Sequence, residues 1–109
     1  PIGLLGGKVE IQFLHYHTEK EASEKWYRRS QRVNFDKLFV VGMEQNLCTI
    51  NDIVAFDSLP FENKIFFSTK PIEGCESNCY MKEFVGREEV GDPYQCAQHF
   101  YKALVKRFQ

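Results

Sequence analysis

Two short apolar runs, Leu38 to Met43 (LFVVGM) and Lys64 to Ser68 (KIFFS), constrain the fold more than any other feature of the chain. Neither shows the alternation of a half-solvated strand, and both are too short for a buried helix. Each therefore reads as a strand covered on both faces, the habit of parallel sheets with helices on either side. Between them, Thr49 with Asp52 offers an N-terminal cap, a helix is expected over Ile50 to Leu59 with Ile50, Ile53 and Val54 inward, and Pro60 stops it.

The same strand-then-helix order precedes this unit. Val9 to Tyr16 alternates, with Val9, Ile11, Phe13 and His15 on one side and Glu10, Gln12, Leu14 and Tyr16 on the other. Thr18 with Glu21 makes a T-x-x-E capping signal, so a helix should begin near Glu19, with Ala22, Trp26, Tyr27, Ser30 and Val33 as its inner stripe. Pro1 to Lys8 is glycine-rich but precedes the strand instead of following it. A dinucleotide fingerprint needs the reverse order, so this segment reads as a turn entering the sheet.

After Pro71 the texture loosens into a loop over Ile72 to Asn78, a short strand over Cys79 to Phe84 and the charged turn Gly86 to Gly91. Asp92, Pro93 and Gln95 then signal a last helix, with Ala97, Phe100, Tyr101, Leu104, Val105 and Phe108 on one stripe. The expected fold is α/β and three-layered. It has a small, mainly parallel sheet with a β-α-β-α-β core, a short extra strand and a C-terminal helix.

At 109 residues the chain is expected to be a single domain, and its start at Pro1 reads as a piece cut from a longer protein. Fourteen basic and fifteen acidic side chains leave a net charge of -1, which excludes the global field of a nucleic-acid binder. No apolar run approaches the roughly 20 residues of a membrane-spanning helix. The four cysteines (Cys48, Cys75, Cys79, Cys96) are too few and too unevenly spaced for a disulfide framework, and read as reduced thiols in a cytoplasmic protein.

In an open α/β sheet, ligands gather beyond the carboxyl ends of the parallel strands. With strands as expected, those ends gather His15, His17, Glu44, Asn46, Thr69 and Lys70. His15 and His17 lie two residues apart on an extended segment, a spacing zinc can use, but two ligands do not make a site and no metal is assigned. The competing reading has His15 capping the apolar face and His17 in solvent. Lys25 to Arg32 (KWYRRSQR) holds four cations and no acid. Arg28 and Arg32 share a face on which phosphates or a partner's carboxylates could sit. The alternative is a solvated helix end favoured by the dipole, with Trp26 in the core.

Cys75 and Cys79 lack the second pair that a zinc knuckle needs. Cys96 with His99 is one helical turn, and the acids Glu88, Glu89 and Asp92 are accounted for by solvation before a helix. No cofactor is specified by any motif.

The segments VEIQFLHYHTEKEASEKWYRRSQRVNFDKLFVV, LPFENKIFFSTK and KEFVGREEVGD resemble the C-terminal half of a bacterial domain-of-unknown-function family whose members are described as exopolysaccharide or capsular polysaccharide biosynthesis proteins. The F-L-H-Y strand end, the E-K-W-x-R-R helix, the N-F-D-K-L-F-V entry and the E-V-G-D turn carry the resemblance. It implies surface-glycan assembly, a sugar or sugar-phosphate ligand, and an N-terminal half of the same protein as a partner. It supplies no catalytic residue.

On that expectation a glycan-related transferase would use His15, His17 and Glu44 for chemistry, with Lys70, Thr69, Asn46, Arg28 and Arg32 binding substrate. The alternative is a noncatalytic domain that docks a partner or the other half through the basic helix face.

Overall fold

The computed structural model describes residues 1–109, whose contacts gather into two units, Pro1–Lys37 and Leu38–Gln109. In the second unit the two apolar runs are strands, as their composition requires. β3 (Phe39–Met43) and β4 (Asn63–Ser68) pair in parallel, with Phe39 opposite Asn63 and Met43 opposite Phe67. A short strand, β5 (Asn78–Tyr80), adds in parallel to the other edge of β4, giving the order β3-β4-β5.

The helix between β3 and β4 is α2 (Ile50–Asp57), and its start is set by local chemistry. The Thr49 hydroxyl accepts the Asp52 N–H while the Asp52 carboxylate accepts the Thr49 N–H, so two donors that the first turn would orphan are satisfied. The last helix is α3 (Ala97–Phe108).

Successive residues of β4 project to opposite faces, and each face recruits its own helix. Phe66 meets Phe56 of α2 edge-on at 5.1 Å, and Phe67 meets Phe100 of α3 at 4.9 Å. The unit is therefore three-layered. Its core lies on the α3 side, where Ile65, Phe67, Met81, Phe84, Val90 and Phe100 are buried together. Full burial of a side chain such as Phe67 contributes about 2–3 kcal/mol. On the α2 side Gly42 is required by space: a Cβ there would lie 2.4 Å from the Phe66 ring and 3.0 Å from Phe56.

The link from β4 to β5, Thr69 to Ser77, makes a parallel connection without a helix. Hydrogen bonds tie it down. Asn78 Nδ2 donates to Ser68 Oγ at 2.7 Å, the Ile72 N–H donates to Asn78 Oδ1 at 2.9 Å, and the Asp57 carboxylate accepts both the amide and the hydroxyl of Ser77. The Ser77 hydroxyl and amide hold the Asp57 carboxyl below its ordinary pKa.

The first unit departs from expectation. Val9–Gln12 (β2) pairs antiparallel with Ile2–Leu5 (β1), not with the parallel sheet. The reason lies in Gly6 and Gly7, which both take positive φ (61° and 70°) and let the chain reverse, the Lys8 N–H closing on the Leu5 carbonyl at 3.2 Å. What reads as an entry turn is a hairpin loop.

The helix α1 (Glu19–Ser30) starts where its cap predicts, the Thr18 hydroxyl accepting the Glu21 N–H at 3.1 Å. The Glu21 carboxylate reaches back one residue further than a capping box requires, to the His17 N–H at 3.3 Å.

Several expected inward residues are exposed. In α1 only Ala22 is buried, and Trp26, expected in the core, meets Phe13 edge-on at 5.9 Å and stays 41% exposed, because a two-stranded ribbon of four-residue strands has too little area to cover it. β3 forms an edge of its sheet, so Phe39 and Val41 are open on one side, contrary to the expectation of cover on both faces. Ile50 and Val54 of α2, and Tyr101 of α3, are likewise exposed.

The strand expected within Cys79 to Phe84 is shorter, Lys82–Phe84 being a turn of 3-10 helix. The start signals at Asp92 cap a separate turn, its carboxylate accepting the Tyr94 and Gln95 N–H groups, and α3 begins only at Ala97.

Gly42→Ala is expected to destabilise the chain by about 1–3 kcal/mol through overpacking against Phe66 and Phe56. Equilibrium urea unfolding checks this: a lower midpoint at unchanged slope is the expected result.

Candidate functional site

Glu44 directly follows β3, and its N–H continues the ladder to the Phe67 carbonyl at 2.9 Å. Its side chain turns into the protein and is almost fully buried, at 2% exposure. A carboxylate so placed needs partners, and β4 supplies them from the two residues that follow it. One oxygen accepts the Thr69 N–H at 2.9 Å and the Thr69 hydroxyl at 2.6 Å; the other accepts Lys70 Nζ at 2.9 Å. Thr69 is buried as well, whereas the Lys70 side chain is half exposed.

Burial pushes the Glu44 pKa up, but the Thr69 hydroxyl, the Thr69 amide and the Lys70 ammonium outweigh it and hold the carboxyl below its ordinary value. Glu44 is thus held as a carboxylate against the Lys70 ammonium.

The loop after β3 turns sharply, Asn46 and Leu47 both having positive φ (51° and 65°). The Asn46 N–H donates to the Glu89 carboxylate, and the Val90 N–H donates to the Glu44 carbonyl at 3.0 Å. These bonds bring the Gly86–Gly91 turn beside the strand ends. The result is an open cleft of about 580 Å³ bounded by Glu44 and Lys70, by the loop residues Asn46, Leu47 and Cys48, and by Glu88 and Glu89. Lys70 is its one cation. Burial, together with the Asp52 and Glu44 charges, raises the Cys48 pKa despite Lys70, so this sulfur stays a thiol and not a nucleophilic thiolate.

Of the residues expected at the strand ends, Glu44, Asn46 and Lys70 line this cleft, and Thr69 is buried behind it against Glu44. His15, His17, Arg28 and Arg32 lie in the other unit, all exposed. The strand ends at Gln12, so His15 and His17 sit in the turn before α1 and not on a strand edge. Two of the basic helix residues are engaged locally: Arg29 donates to the Tyr16 hydroxyl at 3.1 Å, and Lys25 pairs with Glu21 at 3.4 Å and lies over the Tyr16 ring.

No three His, Cys, Asp or Glu side chains converge as a metal site, and all four cysteines are free thiols. Glu88 and Glu89 are the cleft residues that sequence reasoning set aside as a solvated run. The signal for them is long-range, in the pairing of Val90 with Glu44.

The second unit is therefore an α/β domain with a small parallel sheet and a polar cleft at the carboxyl ends of its strands. The chain belongs to the family described as "Domain of unknown function (DUF1919)", whose model matches residues 1–109. It is 42% identical over 95 residues to an "Uncharacterized protein" of Haemophilus influenzae, a match covering 87% of this chain and 46% of that protein. The chain thus spans about half the length of the curated relative it matches. No solved structure matches it. No helix is long and apolar enough to cross a membrane.

Because the folded-state pKa of Glu44 is depressed, its ionisation contributes stability that is fully present above the ordinary glutamate value of 4.5 and lost as pH falls through the lower folded value. Glu44→Gln should cost about 2 kcal/mol at neutral pH and flatten the acid limb of the stability curve. Urea unfolding of both proteins across the acid range reads both effects.

Proposed function

We propose that this domain binds a sugar or sugar-phosphate precursor of a surface polysaccharide in the cleft at the ends of β3 and β4. One observation carries the reading: Lys70 is held at the cleft wall by a buried carboxylate. An ammonium has three donors, and only one is given to Glu44. The others are available to a phosphate or a hydroxyl, at the place where open α/β sheets collect ligands.

The Glu88 and Glu89 carboxylates and the Asn46 side chain supply acceptors and donors for sugar hydroxyls. The resemblance to polysaccharide-biosynthesis proteins supports the same ligand class. Binding is the activity proposed; for transfer, the cleft residue to test first is Glu44.

A second reading has its own observation. Arg28 and Arg32 of the α1 region make no salt bridge, since the ion pairs of the chain are Lys25–Glu21, Lys70–Glu44 and His99–Glu83. Two exposed, unpaired guanidinium groups, one on the last turn of α1 and one just past its end, suit docking to an acidic partner, such as the remaining half of a longer protein.

A thermal-shift screen against hexose phosphates and nucleotide sugars tests the first reading. Ligand at about 100 times its Kd stabilises by about 2.7 kcal/mol, an upward shift of several degrees, and Lys70→Ala should abolish it. No shift with any of these compounds, or a shift that survives Lys70→Ala, overturns the proposal. Charge reversal of Arg28 and Arg32 should leave that ligand shift unchanged.

A further inference from the structure

The charges around the cleft at the ends of β3 and β4 do not balance, and the imbalance bears on what else a ligand there carries. Lys70 is the one cation, while Glu44, Glu88 and Glu89 are carboxylates on the same walls. Glu44 is buried and stands 2.9 Å from the ammonium, so these two offset each other. Neither Glu88 nor Glu89 enters an ion pair.

The two acids are fixed parts of the cleft. Val90, the next residue, is buried, and its N–H donates to the Glu44 carbonyl at 3.0 Å, while Glu89 Oε2 accepts the Asn46 N–H. The acidic turn is thus pinned to the strand that supplies Glu44. The other Glu89 oxygen and both oxygens of Glu88 accept no hydrogen bond from the protein.

Cys48, on the same walls, reports the sign of the field. Burial pushes its thiol pKa up first, and then Asp52 and Glu44 each raise it by more than Lys70 lowers it. The surroundings of that sulfur are net negative even without Glu88 and Glu89.

A phosphate alone suits such a place poorly. A cleft of about 580 Å³ is on the order of 10 Å across, comparable to the Debye length at roughly 0.1 M salt, so charges within it act on one another. Lys70 attracts the phosphate; Glu88 and Glu89 oppose it. A ligand that carries an ammonium beside its phosphate finds the opposite charge for each.

We propose that the ligand of this cleft is the phosphate of an amino sugar with a free amine, its phosphate on Lys70 and its ammonium on Glu88 and Glu89. This rests on the reading that the cleft takes a sugar phosphate, and narrows that reading to a zwitterion. Charge-assisted bonds from an ammonium to a carboxylate are roughly twice as strong as neutral ones, so the two acids favour the amine over the hydroxyl that replaces it in a plain hexose. N-acetylation keeps the ring but removes the charge, and with it the contact.

Titration calorimetry of the whole chain tests this with the 1- and 6-phosphates of glucosamine, N-acetylglucosamine and glucose. At about pH 6.5 the amine carries its proton, as an α-amino group of pKa roughly 7.7–8.0 does. A glucosamine phosphate should bind about tenfold or more tightly than the matching glucose and N-acetylglucosamine phosphates. Glu88→Gln together with Glu89→Gln should bring the three within about twofold, and Glu88→Gln alone, at an exposed side chain without a partner, should narrow the gap about threefold. Gln at position 89 keeps an acceptor for the Asn46 N–H. Glu24→Gln, which removes an exposed acid of the other unit, should leave the preference unchanged.

Glucose or N-acetylglucosamine phosphates that bind as tightly as the glucosamine phosphates overturn this inference and leave the sugar-phosphate reading of the cleft standing. So does a preference that survives both Gln substitutions. Failure of all six phosphates to bind overturns the inference whatever else binds, and failure of nucleotide sugars as well overturns the cleft reading with it.

Discussion

A carboxylate almost sealed from water at the end of a strand is the constraint around which the second unit is built. Unpaired, Glu44 would cost several kcal/mol to bury. Paired, it fastens the ends of β3 and β4 through the Thr69 amide, the Thr69 hydroxyl and the Lys70 ammonium. Its own carbonyl meanwhile accepts Val90, which draws the acidic turn alongside. The fold and the cleft therefore share their critical bonds. Whatever disturbs Lys70 disturbs the position of two strand ends, and the sheet in turn decides where the ammonium stands.

Much of this was legible in the sequence wherever the cause is local. Thr18 and Thr49 announce α1 and α2 because a cap is made within four residues, and the runs around Val40 and Phe66 announce strands because nothing else so short and apolar has a stable alternative. The strand-end rule also placed Glu44, Asn46, Thr69 and Lys70 on one edge, since it needs topology alone. It placed His15 and His17 there only on the premise that Val9–Tyr16 joined the same sheet.

Gly6 and Gly7 undo that premise. Two consecutive residues with positive φ reverse the chain, so β2 finds its partner four residues upstream. The acids at Glu88 and Glu89 were illegible for the opposite reason. Their place depends on a long-range backbone bond that leaves no local signature.

The units differ in how they satisfy themselves. Leu38–Gln109 has two helices on opposite faces of a sheet and a continuous core, whereas Pro1–Lys37 has a ribbon, one helix and an aromatic contact between Phe13 and Trp26. Edge-on aromatic pairs contribute about 0.5–1.5 kcal/mol beyond their buried area. That is enough to orient a helix on a hairpin but little against the conformational entropy of ordering the segment.

The helix-free link between β4 and β5 bears on the order in which the sheet assembles. A loop of about ten residues closes in tens of nanoseconds at small entropic cost. The β4–β5 pairing thus closes a shorter link than the β3–β4 pairing, which spans a helix-containing crossover. In most parallel sheets every pairing is a slow, distant event. Here one of the two is nearly as local as a hairpin, so the strand that ends in Thr69 and Lys70 is joined to one neighbour by a short link and to the other, which leads into Glu44, by a helical crossover.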